Sequence, residues 1–315
     1  MVKDKWIWTE KYSPQNMDEF LGSDNDFVKR KFNEYIEQGE IPLLLLEGSP
    51  GTGKSTLANI ITQNIDCEIK HVNASDERGM PLVRDIIKPF VQTSTMKKWK
   101  IVWLEEGDKL TPDAQDALKD IMLRYIKKCR FIVTCNNKNL LNDALQSRFS
   151  AGSFEVKPLN KKDVMFYLID ILKKENVTYE NKDVAYLINK TYPDIRKAIN
   201  NTQQYVNKDN VLQLDKSSVG EINLMNNIIE SLSTKGNFNK TYTQIRQNIN
   251  DNKLNVYQPV ISHIYENLDK ITTDGMMQAT LIMVLNEAQK SDKIVVDKEI
   301  NVMNMFSELL QALNS

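Results

Sequence analysis

Through the first half of the chain, short apolar runs alternate with longer stretches whose apolar residues recur every three or four positions. Residues 43–46, 69–72, 101–104 and 131–134 are each of strand length and flanked by polar residues. The intervening segments 55–64 and 111–126 carry helical spacing. Strands alternating with helices predict an α/β unit whose parallel sheet is covered on both faces. The pattern changes after Phe154-Glu155-Val156. Residues 161–175 and 181–190 read as helices, Pro193-Asp194-Ile195-Arg196 opens a third, and 207–218 is polar, as a linker would be. From Lys208 onward there are three glycines (Gly220, Gly236, Gly275) and one proline (Pro259), which predicts an all-helical tail. Its amphipathic stretch 294–313 suits a partner surface and a domain core equally. The expected units are therefore 1–156, 157–207, a linker 208–217, and 218–315.

Composition narrows the class. A chain of 315 residues fits about two domains, with three small ones allowed. With 41 basic and 42 acidic residues, the net charge is −1. Coating of nucleic acid by bulk charge is thereby excluded, and any contact needs a local patch. Such a patch exists: residues 78–130 hold 12 basic against seven acidic residues. No apolar run approaches the ~20 residues of a membrane span, and Met1 to Trp6 lacks an apolar leader core. Three cysteines (Cys67, Cys129, Cys135) without Cys-x-x-Cys disfavour a disulfide framework or a zinc knuckle and point to a reducing compartment.

The strongest chemical signal is Gly48-Ser49-Pro50-Gly51-Thr52-Gly53-Lys54-Ser55-Thr56, which fits G-x-x-x-x-G-K-[ST] between a strand and a helix. Glycines let backbone N–H groups close around phosphate oxygens, and a helix N-terminus favours an anion. Lys54 is read as the β/γ-phosphate cation and Ser55 as a hydroxyl ligand for Mg2+. Residues 101–104 run into Glu105-Glu106-Gly107-Asp108, an apolar strand ending in carboxylates. Glu106 is assigned as the water-polarising base. Glu105 is the metal-side acid, and it stands where an aspartate is usual. The extra methylene moves its carboxylate by about 1.5 Å, which points to water-mediated or weaker Mg2+ binding. Asn136 follows another strand and is placed to orient water, although asparagine is also a common turn residue. Cys135 reads as core, and His71 and His263 as structural.

Four further segments accompany these: Glu10-Lys11-Tyr12-Ser13-Pro14, Asn73-Ala74-Ser75-Asp76-Glu77-Arg78-Gly79, Leu145-Gln146-Ser147-Arg148-Phe149 and Pro193-Asp194-Ile195-Arg196-Lys197. Together with the P-loop they resemble an AAA+ clamp-loader ATPase subunit, in particular replication factor C small subunits and the large subunit of the myovirus-type phage clamp loader. The resemblance runs from residue 10 to about 200. It implies an AAA+ parallel-sheet ATPase domain, a small helical lid and a C-terminal helical collar. It also implies a DNA-dependent ATP hydrolase using ATP and Mg2+, in the cytoplasm (a host's, for a phage protein). The implied partners are a sliding clamp, primer-template DNA and other loader subunits in a pentameric ring of several copies plus a different subunit.

By the same resemblance Tyr12 and Pro14 wall the adenine, with Ser13 where arginine is usual. Asn136 is a sensor, and Arg196 the lid arginine that reaches the γ-phosphate. Arg148, in a Ser-Arg-Phe version of the family's Ser-Arg-Cys, is an arginine finger for the neighbouring subunit's nucleotide. A surface salt bridge for Arg148 and a helix-face charge for Arg196 are the plainer alternatives. Arg84 and Lys88 correspond to template-DNA contacts, with a solvated basic helix face an equal alternative, Phe90 and Met96 to clamp contacts or core, and Gln115 and Lys119 to a coupling between DNA and ATP site. Two other readings stay open: a nucleotide-binding, weakly hydrolysing scaffold subunit, and another AAA+ remodelling ATPase. The second lacks support from 76–81, which carries no aromatic pore loop.

Overall fold

The computed structural model describes residues 6–214, 216–233, 238–251, 258–292, 294–295 and 297–314. Expectations touching residues 1–5, Asp215, 234–237, 252–257, Lys293, Val296 and Ser315 lie outside the described residues.

Five strands form one sheet: β1 (Leu44–Glu47), β2 (Cys67–Asn73), β3 (Trp99–Glu105), β4 (Cys129–Cys135) and β5 (Ser153–Glu155). Their order is β2-β3-β4-β1-β5, and every pairing is parallel. Four coincide with the predicted apolar runs. β5 is the addition, three residues with only Phe154 buried, too short and too polar to register as a run. Alternation along the strands fills both faces. Leu44, Leu46, Ile101, Trp103 and Ile132 face one core with Leu57, Ile60 and Ile61. Leu45, Val102, Leu104, Phe131 and Val133 face the other, with Leu118 and Met122.

The helices of this part are α1 (Trp8–Lys11), α2 (Asp26–Gln38), α3 (Lys54–Asn64), α4 (Lys88–Gln92), α5 (Pro112–Tyr125) and α6 (Asp143–Gln146). A π-helical turn, Leu82–Ile87, leads directly into α4. α5 starts where Thr111 Oγ1 accepts the Ala114 amide, with Pro112 in the first turn. Beyond β5 come α7 (Lys161–Lys174), α8 (Asn181–Thr191) and α9 (Ile195–Gln204). Asn160 caps α7 and Asp194 caps α9 through their side-chain oxygens.

Two compact units result, 1–212 and 213–315. The start of the polar linker is tied into the first unit by bridges Thr178–Val211 and Val206–Leu212. The described secondary structure of the second unit is helical throughout: α10 (Lys216–Ser233), α11 (Phe238–Asp251), α12 (Gln258–Glu266), α13 (Leu268–Ile271), α14 (Gly275–Ser291) and α15 (Lys298–Asn314). Leu224, Ile228, Ile245, Val260, Ile264, Leu285, Val302 and Phe306 make its core. Among the described residues no helix is long and apolar enough to cross a membrane.

Candidate nucleotide site

Because all five strands are parallel, their C-terminal ends share one edge, the usual place for a ligand crevice in such sheets. β1 delivers the loop 48–53, β3 delivers Glu105 and Glu106, and β4 delivers Asn136. The loop needs left-handed backbone at Gly51 (φ 76°) and Gly53 (φ 99°). A Cβ on Gly51 would lie 2.1 Å from Asp194 Oδ1 and 2.9 Å from Asp194 Cα, so the start of α9 sits directly on the loop. A Cβ on Gly53 would meet the Phe20 ring at 2.8 Å.

A cavity of about 470 Å3 opens at this edge. Of the residues proposed from sequence, Pro14, Pro50, Gly51, Thr52, Gly53, Lys54, Ser55, Thr56, Glu105, Glu106, Asn136 and Arg196 line it. Lys54 Nζ donates to Gly48 O (2.7 Å), Ser49 O (2.9 Å) and Asn136 Oδ1 (3.0 Å). Gly48 and Ser49 thus support the lysine from behind the cavity wall. Burial pulls the Lys54 ammonium below the usual lysine range. Cys135 and Asp108 pull the other way, and the Arg196 guanidinium reinforces burial.

The acidic end of β3 is held from three sides. Glu106 has φ 53°, uncommon for a residue with a Cβ. Its amide donates to Thr134 Oγ1 at 3.4 Å, and its carboxylate accepts a short hydrogen bond from Ser75 Oγ. Asp108 Oδ2 accepts the amides of Asn136 (3.2 Å) and Asn137 (3.3 Å), which fixes the loop after β4 to the acidic loop. Glu105 Oε2 lies 3.3 Å from His71 Nε2. Cys135 is buried, and its thiol is pushed up to about 12, chiefly by burial, as befits core rather than a nucleophile.

Ser55 and Glu105 line the same cavity and offer hard oxygen donors. Among the described residues no group of three His, Cys, Asp or Glu could hold a metal alone. That donor set fits Mg2+, which commonly takes one or two protein oxygens and fills the rest with water and phosphate. When bound, Mg2+ supplies positive charge to the phosphate oxygens.

Tyr12, expected beside Pro14 as a wall for the base, stands apart from that group. It does not line the cavity. Its hydroxyl donates to Glu175 Oε1 (2.8 Å), which turns the ring toward α7 and leaves the wall to Ser13, Pro14, Leu21, Tyr167 and Ile199. Ser75, Thr134 and Asp108 were not singled out from sequence, because their roles arise from contacts between strands. Arg148 lies outside the cavity, in a 3-10 turn, Ser147–Phe149. Its side chain is exposed, with no hydrogen bond or ion pair among the described residues. Phe149 is fully buried and anchors that turn.

The other expected contacts lie apart from the cavity. Arg84 is exposed and paired with Asp85 at 2.8 Å, and Lys88 is exposed at the start of α4. Phe90 is half-buried, 4.3 Å beneath Lys100 Nζ, whereas Met96 is fully exposed. Gln115 is buried, donates to Leu110 O and Leu140 O (both 3.1 Å) and accepts the Asn142 amide at 2.7 Å. Lys119 lies near Asp116 and Asp120.

A phosphate-binding loop, an acidic strand end and a polar asparagine at the edge of one parallel sheet match an AAA-type ATPase domain. The family described as ATPase family associated with various cellular activities (AAA) matches residues 44–154. The Thermotoga maritima RuvB Holliday junction branch migration motor shares the fold, with a TM-score of 0.51 at 17% identity over 96% of this chain and 91% of that one. The replication factor C small subunit of Archaeoglobus fulgidus is 37% identical over 245 residues, 74% of this chain and 75% of that protein. Those of Methanocella arvoryzae (38% over 210 residues) and Sulfolobus acidocaldarius (35% over 206) match 64% and 63% of this chain. The matched stretch spans 64% and 62% of those two relatives, a little under two thirds. The chain belongs to the replication factor C small-subunit family and carries an AAA ATPase domain.

Proposed function

We propose that this chain hydrolyses ATP as one subunit of a cytoplasmic ring that loads a sliding clamp onto primer-template DNA. ATP between subunits closes the ring around an open clamp, and DNA triggers hydrolysis and release. The chain itself supplies the phosphate lysine (Lys54), the metal ligands (Ser55, Glu105), the base (Glu106), the sensor (Asn136) and the lid arginine (Arg196). Arg148 completes the pocket of the next subunit. Arg84 and Lys88 follow the template phosphates, which suits binding without sequence preference. Fully exposed Met96 is the stronger of the two clamp contacts, since Phe90 is engaged beneath Lys100.

The observation that carries this reading is the exposed Arg148 guanidinium, without an ion pair among the described residues and held outside its own cavity beside a buried phenylalanine. An arginine finger acting in trans is worth roughly 10³–10⁵ in rate. The test mixes Arg148→Ala with Lys54→Ala. Each variant alone is expected to be inactive with clamp and primed DNA. The mixture should recover a fraction of the wild-type rate, because intact loops then meet intact fingers. No recovery, or wild-type turnover by Arg148→Ala alone, overturns the reading.

The contact of Ser75 with Glu106 favours a second reading, a subunit that binds nucleotide but turns it over slowly. A rate that stays low in the full assembly with primed DNA would select it.

A further inference from the structure

Three side chains occupy one patch on the sheet face that carries α3. β2 and β3 pair with His71 opposite Trp103 and Asn73 opposite Glu105. The His71 and Trp103 rings stack with centroids 4.2 Å apart and planes 26° from parallel. Trp103 is 9% exposed, so the imidazole rests on a fixed platform. Glu105 is two residues further along β3, on the same face, and therefore diagonal to His71. Diagonal neighbours on a sheet are reached by long side chains only. Glu105 reaches: its Oε2 is 3.3 Å from His71 Nε2. An aspartate, with a carboxylate about 1.5 Å nearer the backbone, falls short.

We infer that His71 is a positioning residue for the metal-side acid, and that Glu105 and His71 work as a pair. With its proton on Nε2, the stacked imidazole donates to Oε2 and fixes the flexible glutamate. Oε1, which has no protein partner among the described residues, is left to serve the metal or its water. Ligand orientation by a hydrogen-bonded neighbour is a general device of metal sites. Here it accounts for a glutamate where an aspartate is usual: the longer arm needs a second point of support, and β2 supplies it. The inference rests on the reading of Glu105 as a Mg2+ ligand.

The experiment measures metal affinity rather than turnover. Full-length protein carrying a non-hydrolysable ATP analogue is titrated with Mn2+, and free metal is read by electron paramagnetic resonance. Nucleotide affinity in EDTA serves as the reference for each variant. H71F keeps a ring against Trp103 but has no N–H, and about tenfold weaker metal binding is expected. H71Q restores a donor and should recover most of that loss. In the Glu105→Asp background His71→Phe should change metal affinity less than about twofold, because the shorter acid never engaged the imidazole. Unchanged affinity in His71→Phe, or an equal loss in both backgrounds, overturns the pairing. Should the phenylalanine disturb folding, H71L provides a second side chain without a donor. Glu105→Gln separates the two claims: wild-type metal affinity in that variant refutes the metal role itself. Weakened binding there, with no effect of His71→Phe, refutes the positioning alone.

Discussion

Lys54 meets an incoming phosphate with its donors already in use. Two carbonyls of its own loop and Asn136 hold the ammonium, so a triphosphate must exchange with partners in place. Burial lowers its pKa in the free protein, and polyphosphate charge raises it on binding. Between those two values the complex holds a proton that the free protein has lost. Binding is therefore expected to take up protons at alkaline pH, below the ordinary lysine value of 10.5. Titration calorimetry in two buffers of different ionisation enthalpy checks this, and proton release would contradict it. Glu106 gives the complementary test. Glu106→Gln keeps the shape but loses the proposed base, so hydrolysis should fall by about 10²–10⁴ with nucleotide affinity retained, as measured by single-turnover assay and fluorescent-nucleotide titration.

At the scale of elements, the contact between the loop and α9 is the tightest joint of the site. G51A would force an alanine to φ 76° and drive its Cβ against backbone as well as side chain of Asp194. The left-handed conformation alone costs about 1–2 kcal/mol, and the clash adds to it by pushing α9 away. Lower stability to urea together with weaker nucleotide binding is expected, and an unchanged denaturation midpoint would count against it. Much of this architecture was legible in the chain. β1, β3 and β4 are continuous apolar runs because both faces are buried, and the loop motif is local. β5 was hidden because three residues carry no period. The contact of Tyr12 was not legible because its hydroxyl partner, Glu175, lies 163 residues away. The Ser75–Glu106 and Asp108–Asn136 contacts join strands that are adjacent only once the sheet forms, so no local pattern announces them.

Across the whole molecule, the two units own separate cores. A chain ending at residue 212 keeps every cavity-lining side chain. It is expected to bind nucleotide within about twofold of the full chain, as independently packed units allow, while losing the proposed ring assembly. Nucleotide titration and sedimentation measure the two properties separately. The first unit has one more consequence, at its N-terminal edge. Trp8 N donates to Gln203 Oε1 (3.0 Å) and Tyr167 Oη to Tyr12 O (2.6 Å), while Lys11 and Tyr12 both reach Glu175. Ser13 and Pro14 are therefore moored to the same three-helix block that carries Arg196. A swing of that block as one body would carry the proposed purine wall and the proposed phosphate contact together, coupling the two ends of the nucleotide in a single movement.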